Sequence, residues 1–454
     1  MAVATALDPV AIRADFPIFE RDFGGRRLAY LDSAATSLKP RVVIEAVNDY
    51  NSRYSANVHR GIYRIGEEAT TAYEEARVKV ARFINAPDAH EIVMVRNATE
   101  AINLVAYSWG RRHIGAGDTI VLTELEHHAN LVPWQLLVQE TGANLEFVPI
   151  DEQGRLDQEA YGKLLERRPR LVAFNHVSNG LGTINPVSKM LQEAHEADAV
   201  TLVDGAQAVP HGPVDVRALR YCDFYVFSGH KVLGPPGSGA LWGRRELLDS
   251  MPPFLAGGEM IREVHLRRSE FNDVPWKFEA GTPDIAAAIG LGAALDYLSR
   301  IGMERVRAHE RELTEYALDI LPREVPGIEI YGPRSAAERA GIVTFNVPDV
   351  HPHDVATLLD REAVAIRAGH HCTMPLHERL DLAATARASF NVYSDREDID
   401  RLASGLRKVQ AIFGRTERDT AGARYHPTSK TAESTGPGAA LPDVPVGTTV
   451  GSTR

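Results

Sequence analysis

Asp223-Phe224-Tyr225-Val226-Phe227-Ser228-Gly229-His230-Lys231, running on through VLGPPGSGALW to Trp242, is the stretch that decides the fold. FYVF is an aromatic and β-branched run of the length of a buried strand. It stops abruptly in small and polar residues. GPPGSG then turns the chain through backbone angles that suit Gly and Pro, and ALW reads as the next strand. A lysine held just past a buried strand is an unusual place for a solvated cation. Desolvation lowers the pKa of such an amine and leaves it free to attack a carbonyl, as a Schiff base requires. Taken alone, SGHK fits a surface lysine in a hairpin better; the surrounding pattern reverses that reading.

Upstream, strand-like and helical segments alternate. EIVMVR from Glu91 is followed by the helical TEAINLVAYSWGRRH. TIVLTE, LEFVPI, LVAFNHV and VTLVDGAQ then read as strands, separated by helices starting near Leu131, Asp157 and Val187. Mostly apolar strands in βαβα order predict an α/β fold with a largely parallel sheet covered by helices on both faces. Asp284 to Leu321 reads as two long helices. A shorter α+β unit follows, with GIVTFNV, AIRAG and ARASFNVY as strands, HDVATLLDRE as a helix and DREDIDRLASGLRKVQAIF as a closing helix. The expected organisation is a large domain over 26–290 and a small domain from 1–25 with 291–414. The Thr-, Ser-, Pro- and Gly-rich 415–454 is expected to be a disordered tail.

Composition narrows the function. The 454 residues are 44% apolar and carry a net charge of −11, which argues against a nucleic-acid footprint. The longest apolar run, Ile285 to Leu295, is far short of a membrane span, and the N-terminal MAVATALDPVAIRADF lacks the pattern of a signal peptide. Cys222 and Cys372 do not form a disulfide framework and cannot supply the thiolates of an ordinary iron–sulfur cluster; a reducing, cytoplasmic setting is expected.

The chemistry-bearing residues fall at strand ends. Asn97-Ala98-Thr99-Glu100 has the spacing of a capping box, and its helix N-terminus with the Thr99 hydroxyl suits an anion such as phosphate. Glu126-His127-His128 follows another strand. Neither this pair nor His370-His371-Cys372 has familiar metal-site spacing, so no metal is expected, and His127 is better placed to lie flat on a planar cofactor. Asp204 closes VTLVD, followed by Gln207; a buried acid needs a partner, and a pyridinium nitrogen would serve. Cys372, in RAGHHCTMP, reads as a nucleophile on a loop where it can move, with His370, His371 or Arg367 as cations to hold its thiolate. Cys222 reads as a small core residue.

Thr99, His127, Asp204, Gln207, Ser228, His230 and Lys231 all lie at or just past carboxyl ends of successive strands, where ligands bind in open α/β sheets. Their order resembles the large domain of fold-type I enzymes that use pyridoxal 5′-phosphate (PLP). LDSAATSLKP, NVHRGIYRIG, EHHANLVPWQ, HVSNGLGTINP, VDGAQAV, SGHKVLGPPGSG, GGEMI, FEAGTPD, RAGHHC and TARASF, from Leu31 to Phe390, resemble the SUF-type (group II) cysteine desulfurases of the class V aminotransferase family. The resemblance implies that Lys231 forms the Schiff base with PLP, His127 stacks on its ring, Asp204 pairs with the ring nitrogen and Gln207 reaches the phenolic oxygen. Thr99, Ser228 and His230 would bind the phosphate; Ala98 stands where relatives carry a further Thr. Asn179 and Arg387, with Arg367 nearby, would hold the carboxylate of L-cysteine, and Cys372 would take the sulfur as a persulfide. In the implied homodimer the partner subunit would supply the residues matching His59, Arg60 and Thr282. VHPHD, opening a helix at His353, resembles desulfurases that hand sulfur to a small zinc-containing scaffold for iron–sulfur assembly. Selenocysteine lyase is a sibling reading; an aminotransferase, an epimerase or a non-catalytic scaffold on this fold fits less well, since none needs the loop thiol.

Overall fold

The protein is described by a computed structural model over residues 7–419, with side chains through Phe413. The side chains of the expected tail, 415–454, therefore lie outside the described residues, as does the backbone of 420–454. The description concerns the compact unit that ends at Phe413.

The strands are β1 (Ala29–Tyr30), β2 (Ile92–Val95), β3 (Thr119–Thr123), β4 (Asn144–Val148), β5 (Leu171–Asn175), β6 (Val200–Asp204), β7 (Phe224–Ser228), β8 (Gly239–Gly243), β9 (Ile261–Val264), β10 (Ser269–Phe271), β11 (Glu329–Tyr331), β12 (Ile342–Asn346), β13 (Val364–Ala365), β14 (Arg367–Gly369) and β15 (Thr385–Ser389). Seven form the main sheet in the order β2-β8-β7-β6-β5-β3-β4. All pairs are parallel except those of β8, which runs antiparallel to both β7 and β2. Every residue of β5, β7 and β8 is buried, as expected for central strands covered on both faces. FYVF followed by ALW is thus a hairpin in the middle of the sheet, and Lys231 lies in its connection.

Register fixes where the site forms. Asn175 faces Asp204 and Asp204 faces Val226, so β5, β6 and β7 end along one edge. Close packing holds that edge in place. A Cβ on Gly205 would come within 2.1 Å of the Tyr225 ring, so only glycine lets β6 turn away directly after Asp204. A Cβ on Gly239 would lie 2.8 Å from the Asn97 Cα, which brings β8 against the start of the helix Ala98–Leu104.

A second, four-stranded antiparallel sheet has the order β11-β12-β15-β14. It sets Arg367 of β14 directly opposite Arg387 of β15. The segment after β1 ties the two sheets together: β1 pairs with β13, Asp32 bridges to Ser389, and Ser37 N–H donates to the His230 carbonyl. The helix Ile285–Ile301 spans the expected 290/291 domain boundary without a break.

Two expected strands differ. ARASFNVY ends at Ser389, because Asn391 and Ser394 satisfy nearby backbone N–H groups with their own side chains and draw the chain out of the ladder. AIRAG is split at Ile366, since β13 serves β1 and β14 serves β15. Sequence patterning did not single out the helix Arg41–Arg53, the exposed hairpin β9–β10 or β11. Among the described residues, no single helix is long and apolar enough to cross a membrane.

Candidate active site

The common strand edge opens into a cavity of about 200 Å3. Lys231, Asp204, Gln207 and His127 line it, together with Thr99, Ser228 and His230 from one side and Asn179, Arg367 and Arg387 from the other. Every residue to which the sequence assigned a cofactor or carboxylate role within one subunit therefore faces one space. A larger hollow of about 510 Å3 lies beside Thr282 but contains none of the reactive groups, so the smaller cavity is the chemical site.

Lys231 follows β7 in a single turn of 3-10 helix, Gly229–Lys231. Burial drives its amine down to about 8; Asp204 opposes this, while Arg387 and Arg367 reinforce it. Asp204 is only 6% exposed. It accepts from the Ala206 N–H, and burial pushes its carboxyl up against the pull of Lys231. His127 accepts the Ala129 N–H at Nδ1, at 3.0 Å, which places its own proton on Nε2. Burial, and then the charge of Lys231, drives that ring down to about 3, so it is a neutral imidazole.

The expected phosphate end has the right polarity. Ser228 Oγ accepts from Ala98 N–H at 2.9 Å, which leaves its own proton available to a ligand. Burial takes His230 down to about 4, followed by the charges of Lys231 and Lys39. The capping box forms with a shift of register. Asn97 Oδ1 accepts Glu100 N–H, but Glu100 accepts the N–H of Arg96 rather than that of Asn97, because it also pairs with the Arg96 guanidinium.

These residues fit PLP. A buried carboxylate and a neutral ring share the cavity with a deprotonatable lysine, and polar donors line its far end. These are the charge partners that a pyridinium, an aldehyde and a phosphate need. Gln207 shows one preference of its own. Its Nε2 donates to the Ala34 carbonyl at 2.7 Å and its Oε1 faces His211.

On the opposite wall, Arg387 donates to the Asn179 carbonyl at 2.9 Å and to Asp32 at 3.3 Å, and its buried Nε has no partner. Burial lowers its pKa to about 10, so it keeps its charge in a dry setting. The Asn179 side chain donates to the His371 carbonyl.

Cys372 sits in a tight connection between β14 and the helix Met374–Arg379. His371 and Cys372 both have left-handed backbone, φ 52° and 60°. The turn is pinned rather than loose: Asn179 holds the His371 carbonyl, His128 N–H donates to the Cys372 carbonyl, and Met374 N–H donates to His128 Nε2. Of the three cations expected around the thiol, Arg367 supplies the contact, its Nη2 lying 3.6 Å from Sγ. His371 does not serve. Its Nε2 bonds Thr385 and burial drives the ring down to about 2, leaving it neutral. Cys222 is buried in the core, where burial raises its thiol pKa, as its position suggested. Among the described residues no group of His, Cys, Asp and Glu is placed to hold a metal ion.

His59, Arg60 and Thr282 lie outside the cavity. His59 and Arg60 line a separate hollow that also touches Gly281 and Pro283, the two neighbours of Thr282. His59, at φ 68°, bonds Glu74 at 2.8 Å, and the segment before Thr282 is anchored by Glu279, which pairs with the buried Arg77 through both guanidinium ends.

Sequence reading gave no role to Glu126, next to His127 in the chain. It is buried and accepts from Thr123, Asn130 and Asn175, and burial raises its pKa to about 8. Asp32, which pairs with Arg387, lay unassigned within the motif LDSAATS.

The aminotransferase class-V family profile matches residues 29–402. A probable cysteine desulfurase of Halalkalibacterium halodurans is 52% identical over 403 residues, 89% of this chain and 98% of the relative. A cysteine desulfurase of Haloferax volcanii is 50% identical over 420 residues, 90% and 98% of the two chains. The apo structure of the Thermococcus onnurineus cysteine desulfurase superposes with a TM-score of 0.84 at 40% identity, covering 90% of this chain and 99% of that one. The Escherichia coli cysteine desulfurase CsdA, in an S-sulfonic acid form, gives 0.82 at 39% identity, with 90% and 100% covered. Its lysine and buried aspartate share one cavity with Arg367, which touches the Cys372 thiol, and this chain belongs to the aminotransferase class-V family and, within it, to the PLP-dependent cysteine desulfurases.

Proposed function

We propose that the protein converts L-cysteine to L-alanine and leaves the sulfur as a persulfide on Cys372, for delivery to iron–sulfur cluster assembly. The observation that carries this is the Cys372 thiol beside Arg367, a residue of the same cavity as Lys231. Bound PLP supplies an electron sink for the pair left at Cα when its proton is removed. The rest falls to the chain. Arg387 offers a desolvated guanidinium to the substrate carboxylate, and Asp204 offers a buried charge to the ring nitrogen. Lys231, an amine held near neutrality by burial, takes the Cα proton and can return it. The Cys372 thiolate attacks the substrate sulfur as the C–S bond breaks. The carbon keeps the bonding pair and gains a proton, so one cysteine and one thiol yield one alanine and one persulfide. The test is incubation with L-cysteine, assaying alanine and protein-bound persulfide. Equal amounts in the first turnover support the reading; alanine without persulfide on Cys372 refutes it.

The SUF-type homodimer extends this reading. It is supported by His59 and Arg60, which both pair with Glu259, and by Thr282, none of which lines the cavity of their own subunit. Mixing a Lys231→Ala subunit with a His59→Ala subunit should restore part of the activity if each site borrows from its neighbour.

Transfer to a small zinc-containing acceptor is supported by His353. It is exposed at the start of the helix Pro352–Asp360, and its Nε2 lies 3.8 Å from where a Cβ on Gly369 would stand, three residues before Cys372. Neutral imidazole is a good zinc ligand and could replace an acceptor cysteine. His353→Ala should leave turnover with cysteine alone intact and abolish stimulation by the zinc-loaded acceptor. Equal stimulation of both proteins would leave His353 as an exposed residue of the first turn of a helix that His351 caps.

A further inference from the structure

A hydrogen-bonded chain runs from Gln207 at the cofactor cavity into the core through two residues, His211 and Glu310, that no role above requires. Gln207 lines the cavity, and its amide lies 2.7 Å from the Ala34 carbonyl. A carbonyl oxygen only accepts, so the amide end at Ala34 must be the NH2 group. The other end, Oε1, therefore meets His211 Nε2, at 3.2 Å. Since an amide oxygen also only accepts, His211 Nε2 must carry a proton. The opposite ring nitrogen, Nδ1, lies 2.7 Å from Glu310 Oε2. That contact needs a proton too. The pair thus holds two protons and is neutral as a whole, on whichever side of the contact the second proton sits. His211 is 3% exposed and Glu310 0%, while Glu310 Oε1 has no hydrogen-bond partner. Arg307, a turn earlier on the same helix, is committed to the Arg339 and Ala336 carbonyls, and Tyr393 to Ser33.

The consequence falls on Gln207. With Ala34 accepting on one side and His211 donating on the other, a flipped amide would oppose two acceptors and two donors. One orientation survives, and it leaves the second N–H of the amide for a ligand. We propose that His211 and Glu310 are positioning residues that lock Gln207 as a hydrogen-bond donor toward the ring oxygen of bound PLP. This rests on the PLP reading above.

The test uses PLP-loaded protein and follows the pH midpoint of the bound cofactor's visible absorbance band, with the PLP dissociation constant and the melting temperature alongside. A donor to a ring oxygen stabilises its negative charge most when the neighbouring imine nitrogen has lost its proton. Losing the donor should therefore raise the midpoint. His211→Phe, and His211→Asn as a second variant too short to reach Gln207, should raise it by about 0.5–1 unit and weaken PLP binding about three- to tenfold. Glu310→Gln can donate to Nδ1, keeps Nε2 protonated and should stay at the wild-type midpoint. Asp204, His127, His230, Lys231, Arg367 and Arg387 remain in all these variants, so the difference reports the Gln207 orientation. A lowered melting temperature with an unmoved midpoint in both His211 variants would overturn the proposal, since a structural role predicts that pattern. A Glu310→Gln shift as large as that of His211→Phe would also overturn it, because charge rather than orientation would then be the cause. Failure of the wild type to bind PLP would instead strike the functional reading itself.

Discussion

Lys231 sets a rate that can be worked out from its surroundings. Burial brings its amine to about 8, against 10.5 for a free lysine. At pH 7 about one amine in ten is then neutral, against about three in ten thousand for an unperturbed lysine, a ratio of about 300. Only the neutral amine attacks an aldehyde. The perturbation is pH during reconstitution of the apoprotein with PLP. The assay is stopped-flow appearance of the visible band of covalently attached cofactor, with an N-acetyl-lysine amide run in parallel to cancel the ionisation of the aldehyde itself. The ratio of the two rates should fall by about two orders of magnitude between pH 7 and 10.5, because the free amine catches up only as it passes its own pKa. The rate for the protein should rise about tenfold per unit below pH 8 and level off above it. Asp204 opposes the depression, so Asp204→Asn should move the plateau to lower pH. A protein rate that climbs in step with the free amine to pH 10 would show that Lys231 is solvated, and would refute the reasoning.

Cys372→Ser should bind PLP and cysteine, as read by absorbance, yet release almost no alanine; wild-type output would remove the thiol from the mechanism. Arg387→Ala should raise KM about ten- to hundredfold, the worth of about 1.5–3 kcal/mol for a hydrogen bond to a charged group, and an unchanged KM would leave Arg387 as a partner of Asp32 alone. Arg77→Met strands the buried Glu279 carboxylate and should cost about 3–5 kcal/mol, a loss of about 4–6 °C in Tm, part of which Arg77→Met/Glu279→Gln recovers. If the single variant melts with wild type, that pair does not anchor the segment before Thr282.

What the sequence disclosed follows from its physics. β5, β6 and β7 are short runs of apolar and β-branched residues that end in Asn175, Asp204 and Ser228. Any parallel sheet built from them places those polar ends along one edge. Glu126 was not legible, because a glutamate between Leu125 and His127 reads as solvated until Asn130 and Asn175 are brought onto it. The same holds for Glu310, on a helix rich in charged residues, whose partner His211 lies 99 residues away. The firmness of the Cys372 turn was hidden too. RAGHHCTMP looks like a free loop, and only the fold brings Asn179 and His128 to its carbonyls.

The antiparallel β8 has a consequence for how the protein is made. β2 stands at the edge of the main sheet with β8 as its one neighbour. On the ribosome, β2 emerges and must wait for the 144 positions from Val95 to Gly239 before it can pair. At about 5–20 residues per second that is roughly 7–30 s. During this interval the start of the helix Ala98–Leu104 has neither Ser228 nor Gly239 beneath it. Lys231 is translated just before the pairing strand, so the covalent anchor and the anion-binding end of the pocket mature together, late, and nascent chains stalled short of Gly243 should bind no cofactor.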